Sequence, residues 1–98
     1  MSTSKYLILA ELAVKPECLE EVKALSAATL GPTLLEPGCE AFYQTVKAGE
    51  PNTLVFFEVF KSKEAADLHL AQDYTKAFFS SLQGKLAGKP ASTILQQL

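Results

Sequence analysis

The residues best suited to acid–base chemistry in this sequence are His69 and Glu58. His69 is the only histidine of the chain, and an imidazole that titrates near neutrality can remove a proton at pH 7. Glu58 interrupts the apolar run TLVFFEVF at residues 53–60, where a carboxylate must either be paired or have a raised pKa. We therefore take His69 as a candidate catalytic base and Glu58 as the residue that assists it.

Both residues also have a purely structural interpretation. His69 stands between Leu68 and Leu70, and hydrogen bonds to its neighbours could simply fix its helix. Glu58 could bind a backbone amide or a lysine where two chains meet. The sequence leaves these alternatives open.

Aromatic side chains could complete the site by forming a slot for a flat aromatic ring. Aromatic residues at such spacing are also common in ordinary cores. Tyr74 could in addition assist His69 in place of Glu58. The candidates for substrate binding are Tyr43, Phe56, Phe60, Tyr74 and Phe78.

Charge and composition exclude several other classes of protein. The net charge is −2 and the lysines are scattered, which argues against a nucleic-acid partner because such proteins carry a clustered basic face. No apolar run reaches the roughly 20 residues of a membrane span, and the N-terminus lacks a signal-peptide pattern. We expect a cytoplasmic protein with neither a nucleic-acid nor a membrane partner.

The sequence carries no motif for a cofactor or a metal. It has no GxGxxG, P-loop or HExxH motif, and a single histidine excludes a multi-histidine metal site within one chain. Cys18 and Cys39 lack the CxxC spacing and are expected to be reduced, partly buried thiols. No cofactor and no metal are predicted.

Periodicity and breaker residues predict the secondary structure. Strands are expected at residues 6–14, 39–46, 53–60 and 91–98, with a turn at 47–52 between the second and third. One helix should begin at Pro16, kink or break near Pro32 and end at a left-handed Gly38. Two more should follow N-caps at Ser62 and Asp73, the first running to about Ala71.

This order, β-α-β-β-α-α-β, is that of an α+β domain with a ferredoxin-like split βαβ fold and an antiparallel sheet. We expect one domain over residues 1–98. Helices cover only one sheet face in such a domain, yet the strands at 6–14 and 53–60 are apolar on both faces. A second copy would cover the open face, so we expect a homodimer whose two sheets pack into a barrel.

Three segments together resemble the antibiotic biosynthesis monooxygenase family: EPGC at 36–39, FEVFKSKEAADLHL at 57–70 and LAGKP at 86–90. The resemblance covers essentially the whole chain and implies a dimeric α+β barrel. It further implies a cofactor-independent monooxygenase that oxidises a small hydroquinone or polyphenol with O2, with His69 as the base.

The chain also departs from the family pattern. Phe60 stands where many members have tryptophan, and Asp73-Tyr74-Thr75 stands where many have Pro-His-Phe. The haem-degrading branch uses an Asn, a Trp and a His, and the matching residues here are Leu12, Phe60 and Phe79. A haem oxygenase is therefore not expected.

Two other functions remain open. One is an isomerase or degrading enzyme for a small phosphorylated signal molecule, which would need a basic pocket that Lys61 and Lys76 could supply only in part. The other is a non-catalytic, stress-related dimer that binds a small hydrophobic ligand.

Overall fold

The structure, a computed structural model, describes residues 4–98. Its elements are β1 (Tyr6–Ala13), α1 (Leu19–Leu34), β2 (Cys39–Lys47), β3 (Glu50–Phe60), α2 (Lys63–Ala71), α3 (Asp73–Ser81) and β4 (Ala91–Leu95), with a 3-10 turn at Pro16–Cys18 leading into α1. The expected element order and the ferredoxin-like α+β class are confirmed. None of the helices described is long and apolar enough to cross a membrane.

The strands form one antiparallel sheet in the order β2-β3-β1-β4. Glu58 of β3 pairs with Ile8 of β1 on one side and with Phe42 of β2 on the other. Because it has a neighbouring strand on both sides, Glu58 is fixed in the interior of the sheet and not at an edge.

The two faces of β3 have different surroundings. Leu54, Phe56, Glu58 and Phe60 are buried on the face that the helices cover, and Val55, Phe57 and Val59 are half-buried on the open face. Successive side chains of a strand leave opposite faces. Glu58 therefore points toward the helices and away from the open face.

Helix α1 does not break at Pro32, although the sequence predicts a kink or a break there. It continues through this residue and ends soon after it, at Leu34. A proline costs a helix one hydrogen bond and crowds the preceding turn, and the packing of α1 tolerates this cost in its last turn. The end is closed by the N–H of Leu35, which reaches the carbonyls of Gly31 and Pro32 at 3.3 and 3.2 Å.

Gly38 was expected to be left-handed, and this is also wrong. Among the described residues, only Gly49 and Gly84 have a positive φ. Gly38 is required instead by close packing, because a Cβ placed there would lie 2.4 Å from the Cβ of Ala65 on α2. The Gly38 carbonyl also accepts a hydrogen bond from the N–H of Lys61 at 2.8 Å. The loop that follows α1 is thus held directly against α2.

The β2–β3 hairpin is tighter than predicted. Its turn consists of Ala48 and Gly49 alone, with a φ of 81° at Gly49. Strand β3 consequently begins at Glu50 instead of residue 53, and a register shift next to Lys47 accommodates the early pairing.

One of the two predicted helix caps is correct. The Ser62 side chain accepts a hydrogen bond from the N–H of Ala65 at 3.1 Å, which makes Ser62 the N-cap of α2. The N-cap of α3 is Gln72 and not Asp73, which is the first helical residue. The Asp73 carboxylate still suits the positive N-terminal end of α3. At the other end of the chain, β4 ends at Leu95 instead of residue 98.

We predict that Gly38→Ala destabilises the protein by about 1–3 kcal/mol, the usual cost of overpacking. Its new methyl group would overlap Ala65 and push the loop away from α2. Urea unfolding measures the effect. Gly31→Ala is the matched control, because nothing lies within 4 Å of its Cβ and alanine suits a helix better than glycine. Equal stability of both variants would contradict the proposed role of the contact.

Candidate functional site

Glu58 lies between two cavities on the helix-covered side of the sheet. The smaller has a volume of about 30 Å³ and is lined by Thr29, Phe42, Phe56, Glu58, His69, Thr75, Phe78 and Phe79. The larger has a volume of about 170 Å³ and includes Ile8, Ala10 and Leu12 of β1, Ala66, Asp67 and Leu70 of α2, and Ala91, Ser92 and Ile94 of β4. Glu58 and Phe79 border both cavities. Glu58 is therefore the acid–base group that the two share.

The surroundings of Glu58 disfavour its charge. The residue is 7% exposed, and burial raises its pKa to about 7, with a further contribution from the nearby Glu36 carboxylate. Within residues 4–98, neither cavity is lined by a lysine. A carboxyl group that titrates near neutrality can both accept and return a proton under ordinary conditions.

His69 is held by Glu36 and not by Glu58. Its Nδ1 lies 2.8 Å from Oε2 of Glu36, and the Tyr74 hydroxyl donates a hydrogen bond to the same oxygen. No hydrogen bond joins Glu58 to His69 in the described part of the chain. Glu58 therefore does not orient His69 through a hydrogen bond, whereas Tyr74, the alternative helper, belongs to the cluster around His69.

The contact with Glu36 determines which nitrogen of His69 carries the proton. An ionised carboxylate can only accept hydrogen bonds, so Nδ1 must be the donor to Glu36. In the neutral imidazole the other nitrogen, Nε2, then has a free lone pair. His69 can consequently accept a proton at Nε2 while Glu36 stabilises the resulting positive charge.

Packing fixes the position of this cluster. Ala65 and His69 are four residues apart on α2 and so share one helix face. The close approach of Gly38 to Ala65 brings the loop that carries Glu36 to the same face. The imidazole also packs between two phenyl rings, with centroid distances of 5.2 Å to Phe60 and 5.6 Å to Phe42.

Thr75 contributes an unsatisfied hydroxyl to the smaller cavity. The residue is 4% exposed, and its Oγ1 is the one buried side-chain polar atom in the described residues that has no hydrogen-bond partner. Such groups are rare in folded proteins. The atom belongs to the same cavity lining as Glu58 and His69.

The five predicted aromatic residues do not form one slot. Phe56 and Phe78 line the smaller cavity, and Phe60 is fully buried against the imidazole. Tyr43 is 59% exposed and stacks on Phe57 on the open face, at a centroid distance of 6.5 Å. The prediction that Tyr43 shares a slot with the other four residues is wrong. Side chains alternate between the two faces of β2, and Tyr43 points to the open face instead of toward the helices.

Sequence reasoning missed Glu36, Thr75 and Phe79 as site residues. Glu36 stands in the EPGC segment, but nothing in the sequence alone indicates that its loop folds back on α2. For Thr75 a signal existed, since a polar residue takes a position of the buried stripe that continues with Phe78 and Leu82. Phe79 is 48% exposed, so burial patterns could not single it out.

The cysteines do not add a nucleophile to the site. Cys18 and Cys39 are free and half-buried, as expected. Burial raises the pKa of the Cys39 thiol, and the carboxylates of Glu36 and Glu58 raise it further. A thiol whose pKa is raised holds less of the reactive thiolate.

A third concavity lies between α1 and the β2 edge. This groove has a volume of about 580 Å³, is open to solvent and is lined by Lys23, Ser26, Gln44, Thr45, Val46, Leu54 and Phe56. Among residues 4–98, Lys23 is the only lysine and the only ionisable side chain that lines it, so it has neither a histidine nor a carboxylate. Within residues 4–98, no three His, Cys, Asp or Glu side chains cluster to hold a metal ion.

Comparison with known proteins gives a consistent family assignment. The family model described as "Antibiotic biosynthesis monooxygenase" matches residues 5–81. The chain is 30% identical over 99 residues to "Putative monooxygenase Rv0793" of Mycobacterium tuberculosis, covering 98% of this chain and 94% of that protein. It is also 34% identical over 85 residues to the uncharacterized protein sll1783 of Synechocystis sp., covering 87% of this chain but only 57% of that longer protein.

Solved structures agree on the fold. The structure of Rv0793 matches with a TM-score of 0.92 at 25% identity, covering 97% of this chain and 96% of that one. A conserved protein from Methanosarcina mazei also gives a TM-score of 0.92 at 25% identity, covering 98% and 95% of the two chains.

The buried carboxyl group of Glu58 should make stability depend on pH. Its folded pKa of about 7 lies above the ordinary 4.5, so the folded state holds the proton more tightly than the unfolded state. The free energy of unfolding should then fall by about 3 kcal/mol as pH rises from 4.5 through 7. Urea titrations at several pH values measure this slope.

Glu58→Gln should remove this part of the pH dependence, because the amide does not ionise. Glu17→Gln, at an exposed glutamate, should keep it. Parallel pH profiles for the wild type and Glu58→Gln would show that Glu58 ionises in the folded protein as freely as in water.

Proposed function

The chain belongs to the antibiotic biosynthesis monooxygenase family, and we propose that it is a cofactor-independent monooxygenase that oxidises a small hydroquinone or polyphenol with O2. One observation carries this proposal: a buried carboxyl group with a pKa of about 7 borders a largely apolar cavity of about 170 Å³. A base that titrates near neutrality, beside a space for an apolar ring, suits removal of a phenolic proton.

The size of the larger cavity limits the substrate. Its volume of about 170 Å³ is below the roughly 300–1,000 Å³ of pockets for drug-sized ligands, which favours a compound with a single ring. Ile8, Leu12 and Leu70 offer apolar walls, and the Ser92 hydroxyl offers a polar contact. A hydroquinone combines these two properties, since its ring is apolar and its two hydroxyls are polar.

Glu58 is better placed than His69 to meet the substrate. Glu58 borders the larger cavity, whereas His69 borders only the smaller one, and about 30 Å³ cannot hold an aromatic ring. We therefore assign removal of the phenolic proton to Glu58 instead of to His69, the base expected from the sequence. His69 then acts behind Glu58 and does not contact the substrate.

The reaction needs one base and a site with little water. Glu58 takes the phenolic proton, and the phenolate gives one electron to O2. The resulting superoxide and phenoxyl radical combine at a ring carbon to form a peroxide. That carbon then gives up its hydrogen as a proton to the terminal peroxide oxygen. The C–H electron pair forms the carbonyl as the O–O bond breaks and hydroxide leaves. Hydroxide recovers the proton from Glu58, so a hydroquinone and O2 give a hydroxyquinone and water.

Charge argues against the phosphorylated substrate considered above. The two cavities are bordered by Glu58 and Asp67 and, within residues 4–98, by no lysine. The whole sequence contains no arginine. A phosphate group would therefore meet carboxylates without the cations that normally bind it.

We also propose that the protein is a homodimer joined through the open face of its sheet. Apolar side chains occupy this face on adjacent strands: Leu7, Leu9, Tyr43, Val55, Phe57, Val59 and Leu95. No helix of residues 4–98 covers them, and monomers seldom expose an apolar surface of this extent. Two such sheets packed face to face would bury both.

Oxygen uptake with a panel of hydroquinones tests the enzymatic proposal. The rate kcat/KM should rise with pH through about 7, because Glu58 accepts a proton only when ionised. Glu58→Gln should lower kcat by about 10²–10⁴-fold, while Glu17→Gln should leave it unchanged. Chelators should have no effect.

Other results would redirect the assignment. Saturable ligand binding without oxygen uptake would favour the non-catalytic dimer. Activity that appears only after addition of flavin, iron or haem would contradict the cofactor-independent mechanism. Full activity in folded Glu58→Gln would remove Glu58 from the reaction.

Sedimentation tests the dimer. The wild type should sediment at twice the chain mass at micromolar concentration. Phe57→Lys should give a monomer or aggregate, since it would bury an unpaired charge. Leu35→Lys, at a leucine that is already 84% exposed, should leave the dimer intact. A stable wild-type monomer would disprove the proposal.

A further inference from the structure

The smaller cavity is lined by three side chains with a polar atom that no other side chain of residues 4–98 bonds, and of these atoms the Thr75 Oγ1 is the one that is fully buried. The Thr75 hydroxyl is buried and unpaired. His69 has its Nδ1 engaged by Glu36, which leaves the lone pair of Nε2 free. Glu58 makes no hydrogen bond with another side chain of residues 4–98. All three residues line the same space.

We propose that this cavity binds an ordered water molecule, which accepts a hydrogen bond from Thr75 and donates to Glu58 and to Nε2 of His69. The volume of about 30 Å³ exceeds the roughly 10–15 Å³ that one water requires. A buried water typically makes about three hydrogen bonds, and this arrangement supplies three. The unsatisfied Thr75 hydroxyl gains the partner that buried polar groups normally have.

This water connects Glu58 to the cluster of His69, Glu36 and Tyr74. Once Glu58 is protonated, its O–H donates to the water oxygen instead of accepting from the water. As Glu58 passes its proton to that oxygen, the water passes one of its own protons to Nε2. The products are a Glu58 carboxylate, an unchanged water and a His69 imidazolium that donates from Nδ1 to Glu36 at 2.8 Å. One proton enters the path and one leaves it.

This transfer of a proton from Glu58 through the water to His69, called the relay below, rests on the proposed function. In that reaction a proton must be stored between its removal from the phenol and its return to hydroxide. Storage on His69 separates the proton from the reacting oxygen while the peroxide forms. Glu36 stabilises the stored charge as a hydrogen-bonded ion pair. Thr75 and Glu36 are positioning residues here, because each acts through the water or the imidazole and not on the substrate.

The charged and titratable groups around this path are mostly acidic. Those that face Glu58 and His69 come from four elements and one loop: Tyr6 of β1, Cys39 of β2, Asp67 of α2, Tyr74 of α3 and Glu36 of the loop before β2. Asp67 is paired with the exposed Lys63 at 3.0 Å, and no lysine in the described chain lines either cavity. Glu36 is therefore the carboxylate that contacts His69 directly.

Thr75→Val tests the water site without any need for activity, because valine keeps the shape of threonine but lacks its hydroxyl. In a dry cavity the change would remove an unpaired polar group and raise the melting temperature. With a bound water it removes a hydrogen bond, so we expect the melting temperature to fall. Thr75→Ser keeps the hydroxyl and should retain the water. A crystal structure of the ligand-free protein should contain the water in the wild type, and an empty cavity there would overturn the proposal.

Kinetics test the relay. Thr75 does not border the larger cavity, so Thr75→Val should leave KM unchanged and lower kcat by roughly 10–100-fold, as for other groups that act through a neighbour. The solvent deuterium isotope effect on kcat should increase, and Thr75→Ser should restore both values. Unchanged kcat in folded Thr75→Val would overturn the relay. If the wild type oxidises no hydroquinone, the proposed function fails, yet the melting temperatures and the crystal structure still decide whether the water is bound.

Discussion

The free-energy cost of burying the charge of one carboxyl group governs the arrangement of this site. Glu58 stands between Phe56 and Phe60 on the covered face of an interior strand, where its charge would normally require a cation or several donors. The cavities beside it contain no lysine among residues 4–98, so the cost is met by a raised pKa instead. The same carboxyl group becomes useful if it must give and take a proton near pH 7.

The second carboxylate has the opposite environment and a different task. Glu36 lies 2.8 Å from Nδ1 of His69 and accepts a hydrogen bond from Tyr74, so its charge is satisfied by donors. This arrangement depends on backbone packing, because only a glycine at position 38 allows the loop to approach Ala65. The two glutamates thus have different surroundings, and in the proposed reaction one would exchange a proton while the other holds the imidazole.

The sequence predicted the fold far better than the site. Alternating and helical periodicities gave all seven elements in order, and Ser62 gave the start of α2, because these features depend on local patterns. Local patterns failed at Pro32, Gly38 and Asp73, where the position within a helix turn and a contact with a distant residue decided the outcome. His69 and Glu58 were found by residue type, but their relation was not. Glu36 reaches His69 across 33 positions of the chain, and no periodicity reports such a contact.

The alternation of side chains along β3 allows one short segment to supply both the candidate site and the proposed dimer interface. This alternation sends Phe56, Glu58 and Phe60 under the helices and sends Val55, Phe57 and Val59 to the open face. In the proposed dimer the second set would pack against a partner sheet, and close packing transmits constraint well because protein interiors are dense. The backbone that carries Glu58 would then be held by β1 and β2 at its sides and by a second sheet beneath it. A base placed on such a strand keeps its position when a small substrate enters, which a base on a loop could not do as well.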